Sequence, residues 1–285
     1  MEHVDEVRRY YEANTPAFQR FGHGSEQGVI RRAIWGEGVA SRTEAFRYVD
    51  TLIAAEVRAL QVEVASPLRV FDFGCGFGTS LLNLWNALKI QGVGFTLSPV
   101  QVRVAQQHFE KAKALADLQC LEADFLSLSD DVAPAHVVFA IESFVHSPSP
   151  QRFFESVARH ITPGGTLIVC DDFSANRAAE SLTARERRTL AEFRRGWVAP
   201  SVVTGNEAND AAAQSGFELR KDLDLTPHLE LRRPRDRVLS AIVAVLGRLP
   251  IPGYRWRSLV GGNALQNGLM TGLIEHRFLT WRRRC

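Results

Sequence analysis

The chain has 285 residues, 45% of them hydrophobic and 23% charged. That composition suits a folded globular protein and excludes a disordered, coiled-coil or collagen-like chain. Lys and Arg number 34 against 32 Asp and Glu, a formal net charge of +2. So small a surplus predicts no nucleic-acid footprint over the chain as a whole. The basic end Arg282-Arg283-Arg284-Cys285 reads as a solvated terminus. The cysteines at 75, 120, 170 and 285 form no CxxC and no disulfide framework, so reduced thiols and a cytoplasmic location are expected. The start, Met1-Glu2-His3-Val4-Asp5-Glu6, is acidic and lacks the apolar region of a secretory signal. The longest apolar stretch, Val238 to Leu246, is too short for a membrane span.

Residues 1–62 read as helices. Asp5 to Ala13 carries Val7, Tyr10 and Tyr11 at helical spacing, Ser25 to Trp35 predicts a second helix, and Ser41 to Leu60 a third. The third opens on a capping box, Ser41 with Glu44 three residues on. From residue 68 short apolar runs alternate with helical segments. Strands are predicted at Leu68 to Phe73, Gly92 to Leu97, Leu118 to Leu121, His136 to Ile141 and Thr166 to Cys170. Helices are expected from Thr79 to Ile90, from Ser98-Pro99, and from Ser149-Pro150 to Pro163-Gly164-Gly165; Ser before Pro supplies an N-cap and a first helical residue. Runs of Val, Ile and Phe without alternation belong to strands buried on both faces, as in a parallel sheet covered by helices. Phe217 to Arg220 and Leu273 to Trp281 read as late strands. Between them, Thr226 to Met270 is too long for a plain loop; a helical piece at 235–248 and a Pro/Gly-broken segment at 249–262 are expected to form a lid.

The first strand runs into Asp72-Phe73-Gly74-Cys75-Gly76-Phe77-Gly78-Thr79. Glycines there let the backbone turn tightly and approach a ligand, as dinucleotide-binding folds also do. The spacing Asp-x-Gly-x-Gly-x-Gly resembles motif I of class I S-adenosylmethionine-dependent methyltransferases. The second strand ends Gly94-Phe95-Thr96-Leu97-Ser98-Pro99-Val100-Gln101, similar to cyclopropane synthases and sterol methyltransferases. No acidic residue stands at that strand end, which disfavours a nicotinamide dehydrogenase. The resemblance implies a Rossmann-like α/β fold, a seven-stranded mostly parallel sheet with helices on both faces. It divides the chain into an N-terminal helical cap at 1–62, a core at 63–225, a helical lid at 226–270 and a last strand at 271–285. It also implies S-adenosyl-L-methionine as cofactor, held by Asp72, Gly74, Gly76, Gly78, Thr96, Leu97 and Gln101. Asp124 would take the adenine amino group, and Phe125, Ile141 and Tyr11 complete the set.

The fourth strand ends Ile141-Glu142-Ser143-Phe144-Val145-His146. Strand ends of a parallel sheet face the ligand crevice, so Glu142 and His146 are candidate acid/base groups. This segment resembles sterol side-chain methyltransferases. The N-terminal Tyr10-Tyr11-Glu12-Ala13-Asn14-Thr15, Phe21-Gly22 and Arg31-Arg32-Ala33-Ile34-Trp35-Gly36 resemble bacterial terpenoid C-methyltransferases. The implied reaction adds a methyl group to an alkene carbon of an isoprenoid. Glu142, His146 and Tyr10 would be catalytic, and Phe21, Arg31, Trp35, Phe144, Phe173 and Trp197 would contact the substrate, with aromatic faces stabilising a carbocation. Arg31, Arg32, Arg177, Arg232 and Arg235 could bind a diphosphate, and Asp171-Asp172 could hold Mg2+ beside it, although no DDxxD-like spacing follows. The alternatives are an O- or N-methyltransferase of a small aromatic metabolite and a non-catalytic cofactor-binding protein. The family resemblance further implies a homo-oligomer.

Overall fold

The computed structural model describes residues 2–21, 31–63, 67–231, 233–247 and 251–285; the side chains of residues 2 and 15–21 fall outside that description. Two helices come first, α1 (Glu2–Phe21) and α2 (Arg42–Gln61). A regular alternation follows: β1 (Arg69–Phe73), α3 (Thr79–Leu88), β2 (Gln91–Thr96), α4 (Pro99–Lys111), β3 (Leu118–Glu122), β4 (Ala135–Ile141), α5 (Pro150–His160) and β5 (Ile161–Ser174). The remainder is α6 (Ala184–Trp197), α7 (Gly205–Gln214), β6 (Phe217–Asp224), α8 (Pro234–Leu246), α9 (Tyr254–Met270) and β7 (Ile274–Arg283).

The sheet has seven strands in the order β3-β2-β1-β4-β5-β7-β6. Every pairing is parallel except those of β7, which runs antiparallel to β5 and β6. Val137, Val138, Phe139 and Ala140 of β4 are wholly buried, as a central strand with helices on both faces requires. One face packs Phe71, Phe73, Phe144, Phe153, Phe154, Phe173 and Trp281 together; the other packs Val70, Phe139 and Ile168 against Ile53, Leu81 and Leu84. The order reverses between β1 and β4, and open α/β sheets present their ligand crevice at such a switch point.

The capping signals act as expected. Ser41 and Glu44 close a capping box on α2, and Ser98 and Ser149 cap α4 and α5 ahead of proline. Two expectations need correction. The second short helix was expected from Ser25 to Trp35; Ser25 lies outside the described residues, and Arg31 to Trp35 is extended. Ile34 bridges Leu229, its N–H bonds Ala45, and the Arg31 side chain is anchored on α2, so tertiary bonds override local preference. Of the segment expected to be broken at 249–262, residues 249 and 250 lie outside the described residues, Ile251 to Gly253 are non-helical, and from Tyr254 onward the chain belongs to the continuous helix α9. Its glycines serve close packing: a Cβ on Gly196 of α6 would stand 2.6 Å from Gly261 Cα.

Candidate functional site

The first cavity lies at the carboxyl ends of β1, β2 and β4 and encloses about 920 Å³, its open mouth included. Asp72, Gly74, Gly76, Thr96, Leu97, Gln101, Phe125, Ile141 and Tyr11, which the family resemblance assigned to a cofactor, line it. The amides of Gly74 and Cys75 both donate to Phe95 O (2.9 and 3.0 Å), folding the loop back over β2. Gly76 has φ +53, and a Cβ there would meet no protein atom within 4 Å, so a side chain would extend into open space beside the cleft. Thr96 Oγ1 donates to Gln101 Oε1 at 2.5 Å, fixing a buried polar pair that closes the end of β2. Asp72 is buried; desolvation first, and the Asp50 charge second, push its carboxyl well above the usual range, with Arg31 opposing. A buried carboxyl at the wall of a glycine-lined cleft suits a ligand bearing a cationic group, and S-adenosylmethionine fits this donor set.

Two cofactor expectations need revision. Asp124 is not in the cavity wall; its carboxylate caps its own turn, accepting from Leu126 N (2.9 Å) and Ser127 Oγ. Gly78 is also outside the wall. It starts α3 at φ +70, and a Cβ there would strike Phe109 at 2.6 Å, so helix packing demands it. The wall includes Ser80, Ser98, Ala123 and Ser143, which the sequence reading did not single out.

A second, larger cavity of about 1900 Å³, open solvent included, adjoins the first. Tyr11, Arg31, Glu142 and His146 line both. At this junction Glu142 holds φ +50, a left-handed conformation a non-glycine residue seldom adopts, and its Oε1 accepts the Arg32 N–H at 3.1 Å. His146 Nδ1 lies 3.0 Å from the Val198 carbonyl, which can only accept. Nδ1 is therefore protonated, and in the neutral ring Nε2 is left to accept the Tyr11 hydroxyl at 2.8 Å. Burial drives the His146 pKa down to about 4 and raises the Tyr11 phenol. Tyr10 lines the second cavity, with its hydroxyl 3.3 Å from Ser258 Oγ and its phenol also pushed up by burial.

The substrate set divides. Trp197 lines the second cavity and donates through Nε1 to Ser258 O at 3.1 Å. Phe144 and Phe173 do not line it; they stack on each other at 5.6 Å within the core. Trp35 lines neither cavity, because it sits on the extended surface segment that bonds His228. Arg31 borders both, but four of its five N–H donors are spent on Asp50, Ser80 and Phe46 O. It props the loop rather than offering a free guanidinium. Arg177 pairs with Glu186 away from both cavities, whereas Arg32 and Arg235 line the second. Phe21, by its side chain, and Arg232 lie outside the described residues. Asp172 is held by Arg32 and His276; burial works to raise it, yet these partners keep it below the usual range. Asp171 accepts from Val145 N and Asp172 N. The pair is thus engaged within the protein, and no group of three or more ligating side chains among the described residues could hold a metal.

Residues 70–165 match the family model for the methyltransferase domain. The matched segment carries a methyltransferase domain. It is 25% identical over 223 residues to cycloartenol-C-24-methyltransferase 1 of Oryza sativa subsp. japonica, covering 78% of this chain and 62% of that one. An O-methyltransferase of Aspergillus nomiae is 26% identical over 157 residues, 55% of this chain and 67% of its own length. Among solved structures, a geranyl diphosphate methyltransferase superposes with a TM-score of 0.71 at 14% identity, over 99% of this chain and 100% of the other. No helix among the described residues is long and apolar enough to cross a membrane.

Proposed function

We propose that this methyltransferase forms a carbon–carbon bond, methylating an alkene carbon of an isoprenoid acceptor. The observation that carries the reading is the second cavity. It meets the cofactor cleft at Glu142, His146 and Tyr11, has Trp197, Leu229, Leu231, Leu239 and Leu265 in its wall, and gathers Arg255 beside Arg32, Arg233 and Arg235, which pair with Asp172, Glu230 and Asp236 in the same wall. An apolar chamber bearing several guanidinium groups suits a hydrocarbon chain with an anionic head such as a diphosphate. Sterol C-24 methyltransferases among the relatives support the same class.

S-adenosylmethionine, when bound, supplies an electrophilic methyl group. Asp72, the 74–76 loop and the Thr96–Gln101 pair hold the donor at the switch point. Tyr10, Tyr11 and Trp197 border the acceptor and can offer aromatic faces to a cation, each worth about 0.5–2 kcal/mol. Helices α1, α8 and α9 wall the chamber and would limit access of water to that cation. Glu142 is the group to take the proton afterwards, since His146 Nε2 is already committed to Tyr11. Its left-handed backbone sets the carboxylate at the mouth between the two cavities.

The neutral His146 joined to Tyr11 favours a second reading, O-methylation of a phenolic acceptor, because that pair could receive a hydroxyl proton. Incubation with methyl-labelled S-adenosylmethionine and a panel of prenyl diphosphates and prenylated aromatics separates the two. A product whose labelled methyl is bonded to carbon supports the first. A methoxy product, or turnover confined to phenols, overturns it.

A further inference from the structure

Twelve large hydrophobic residues are exposed among the described residues, and five of them, Val238, Ile242, Val245, Leu246 and Ile251, fall within one short stretch of sequence. Four of the five belong to α8. At 3.6 residues per turn Val238, Ile242, Val245 and Leu246 share one face. Val238 is 60% and Val245 77% exposed, and Val243 is the buried residue of the helix. Scattered surface aliphatics are ordinary, but a stripe along one helix marks a docking face. The charge around it is of one sign. Arg235 lies one turn before Val238, its side chain 51% exposed, and Arg237 is exposed beside it. The sole acid of α8, Asp236, is turned inward toward Arg233 and Arg235.

We infer that α8 is a peripheral membrane-docking helix that lies on an anionic lipid surface, with its aliphatic stripe among the acyl chains and its arginines at the headgroups. An apolar stripe with basic flanks and no exposed acid is the pattern of an interfacial helix, and long arginine side chains can reach back to phosphates while the stripe inserts. A second copy of α8 would offer no carboxylate to these arginines, so charge favours lipid over self-pairing. Arg235 and Leu239, at the edge of the stripe, and Asp236 beside them also line the larger cavity, so docking would set the mouth of that cavity beside the bilayer. This inference does not depend on what the acceptor is.

Co-sedimentation of the full chain with phosphatidylcholine vesicles, with and without about 30% phosphatidylglycerol, tests it. The protein should pellet with the anionic vesicles, about tenfold more weakly with the neutral ones, and less as salt rises. Arg237→Gln should weaken binding about fivefold, the equivalent of one basic residue near the surface. The double variant Val238→Glu/Val245→Glu should weaken it at least tenfold, and Val238→Ser/Val245→Ser in the same direction. Calorimetric affinity for S-adenosylhomocysteine should stay unchanged in all three, which reports an intact fold. Wild-type protein that ignores anionic vesicles overturns the inference, as does undiminished pelleting of the glutamate variant. So does a wild-type dimer that the glutamate variant splits into monomers, which would assign the face to a second copy.

Discussion

The cofactor cleft is made of strand ends and tight turns, whereas the neighbouring chamber is walled largely by helices α1, α8 and α9. In the cleft, the 74–78 turn and the Thr96–Gln101 pair are local in sequence, and the loop is tied to β2 about twenty residues on through Phe95 O. In the chamber, α1 meets α9 across some 250 residues, as the Tyr10–Ser258 contact shows. A site of the first kind is written in local spacing; one of the second depends on how distant helices pack. Variants should therefore separate the two, with cleft changes striking cofactor affinity and chamber changes sparing it.

The largest separation is expected at Gly76. Its φ of +53 disfavours a branched residue, and any Cβ would project beside the cleft. Gly76→Val should weaken S-adenosylhomocysteine binding more than about 100-fold while the protein stays folded, since no packed atom is displaced. Calorimetry on a variant with native circular dichroism decides it; undiminished affinity would remove the loop from the cofactor site.

Glu142→Gln should act on the other side of the divide. It keeps shape and hydrogen bonding but removes basicity, so turnover should fall by about 100-fold or more with cofactor affinity nearly unchanged. If His146→Ala proves the more damaging and Glu142→Gln is mild, the proton leaves through Tyr11 and His146. Wild-type rates in both variants would leave the alkene reading without a base. A smaller effect is expected at Trp197: replacing it with Ala should raise the acceptor KM by roughly threefold to thirtyfold through loss of one aromatic face. A parallel loss of cofactor affinity would show instead that α6 props the cleft.

The same divide explains what could be read in advance. The β1–α3 turn and the Ser98-Pro99 and Ser149-Pro150 caps follow from spacing that local geometry enforces, whereas the seven-stranded sheet is what the family resemblance implied. Glu142 and His146 were visible as polar groups at a strand end, but the tautomer of His146 was not, because Val198 lies 52 residues away. Phe144 and Phe173 were read as cage residues, yet aromatic type alone does not distinguish a wall from a core; only packing placed them inside. Helices α6 and α7 also carry a legible signal: Thr183 with Glu186 and Thr204 with Glu207 are both capping boxes. Helix α9 was obscured by its glycines, which punctuate a sequence but here allow two helices to touch.

The subtlest expected effect concerns the pH dependence of the chamber wall. His146 is buried and neutral, with a pKa of about 4 against 6.5 for the free side chain. Between those values the unfolded chain binds a proton at this position and the folded chain does not. Stability from the buried neutral ring is therefore fully present above about pH 6.5 and is lost as pH falls toward 4, by up to about 3 kcal/mol. Other groups titrate over the same range, so the difference between wild type and His146→Gln isolates this one. Urea unfolding at pH 7, 6 and 5 should show the wild-type advantage shrinking with each step. The cleft offers the opposite sign: burial raises the Asp72 carboxyl, so the wild-type protein should gain on Asp72→Asn as pH falls below the raised folded-state pKa toward the usual carboxylate range. If the His146 difference is flat across pH, the ring is not held neutral between Val198 and Tyr11, and the two regions do not differ in the way their burial implies.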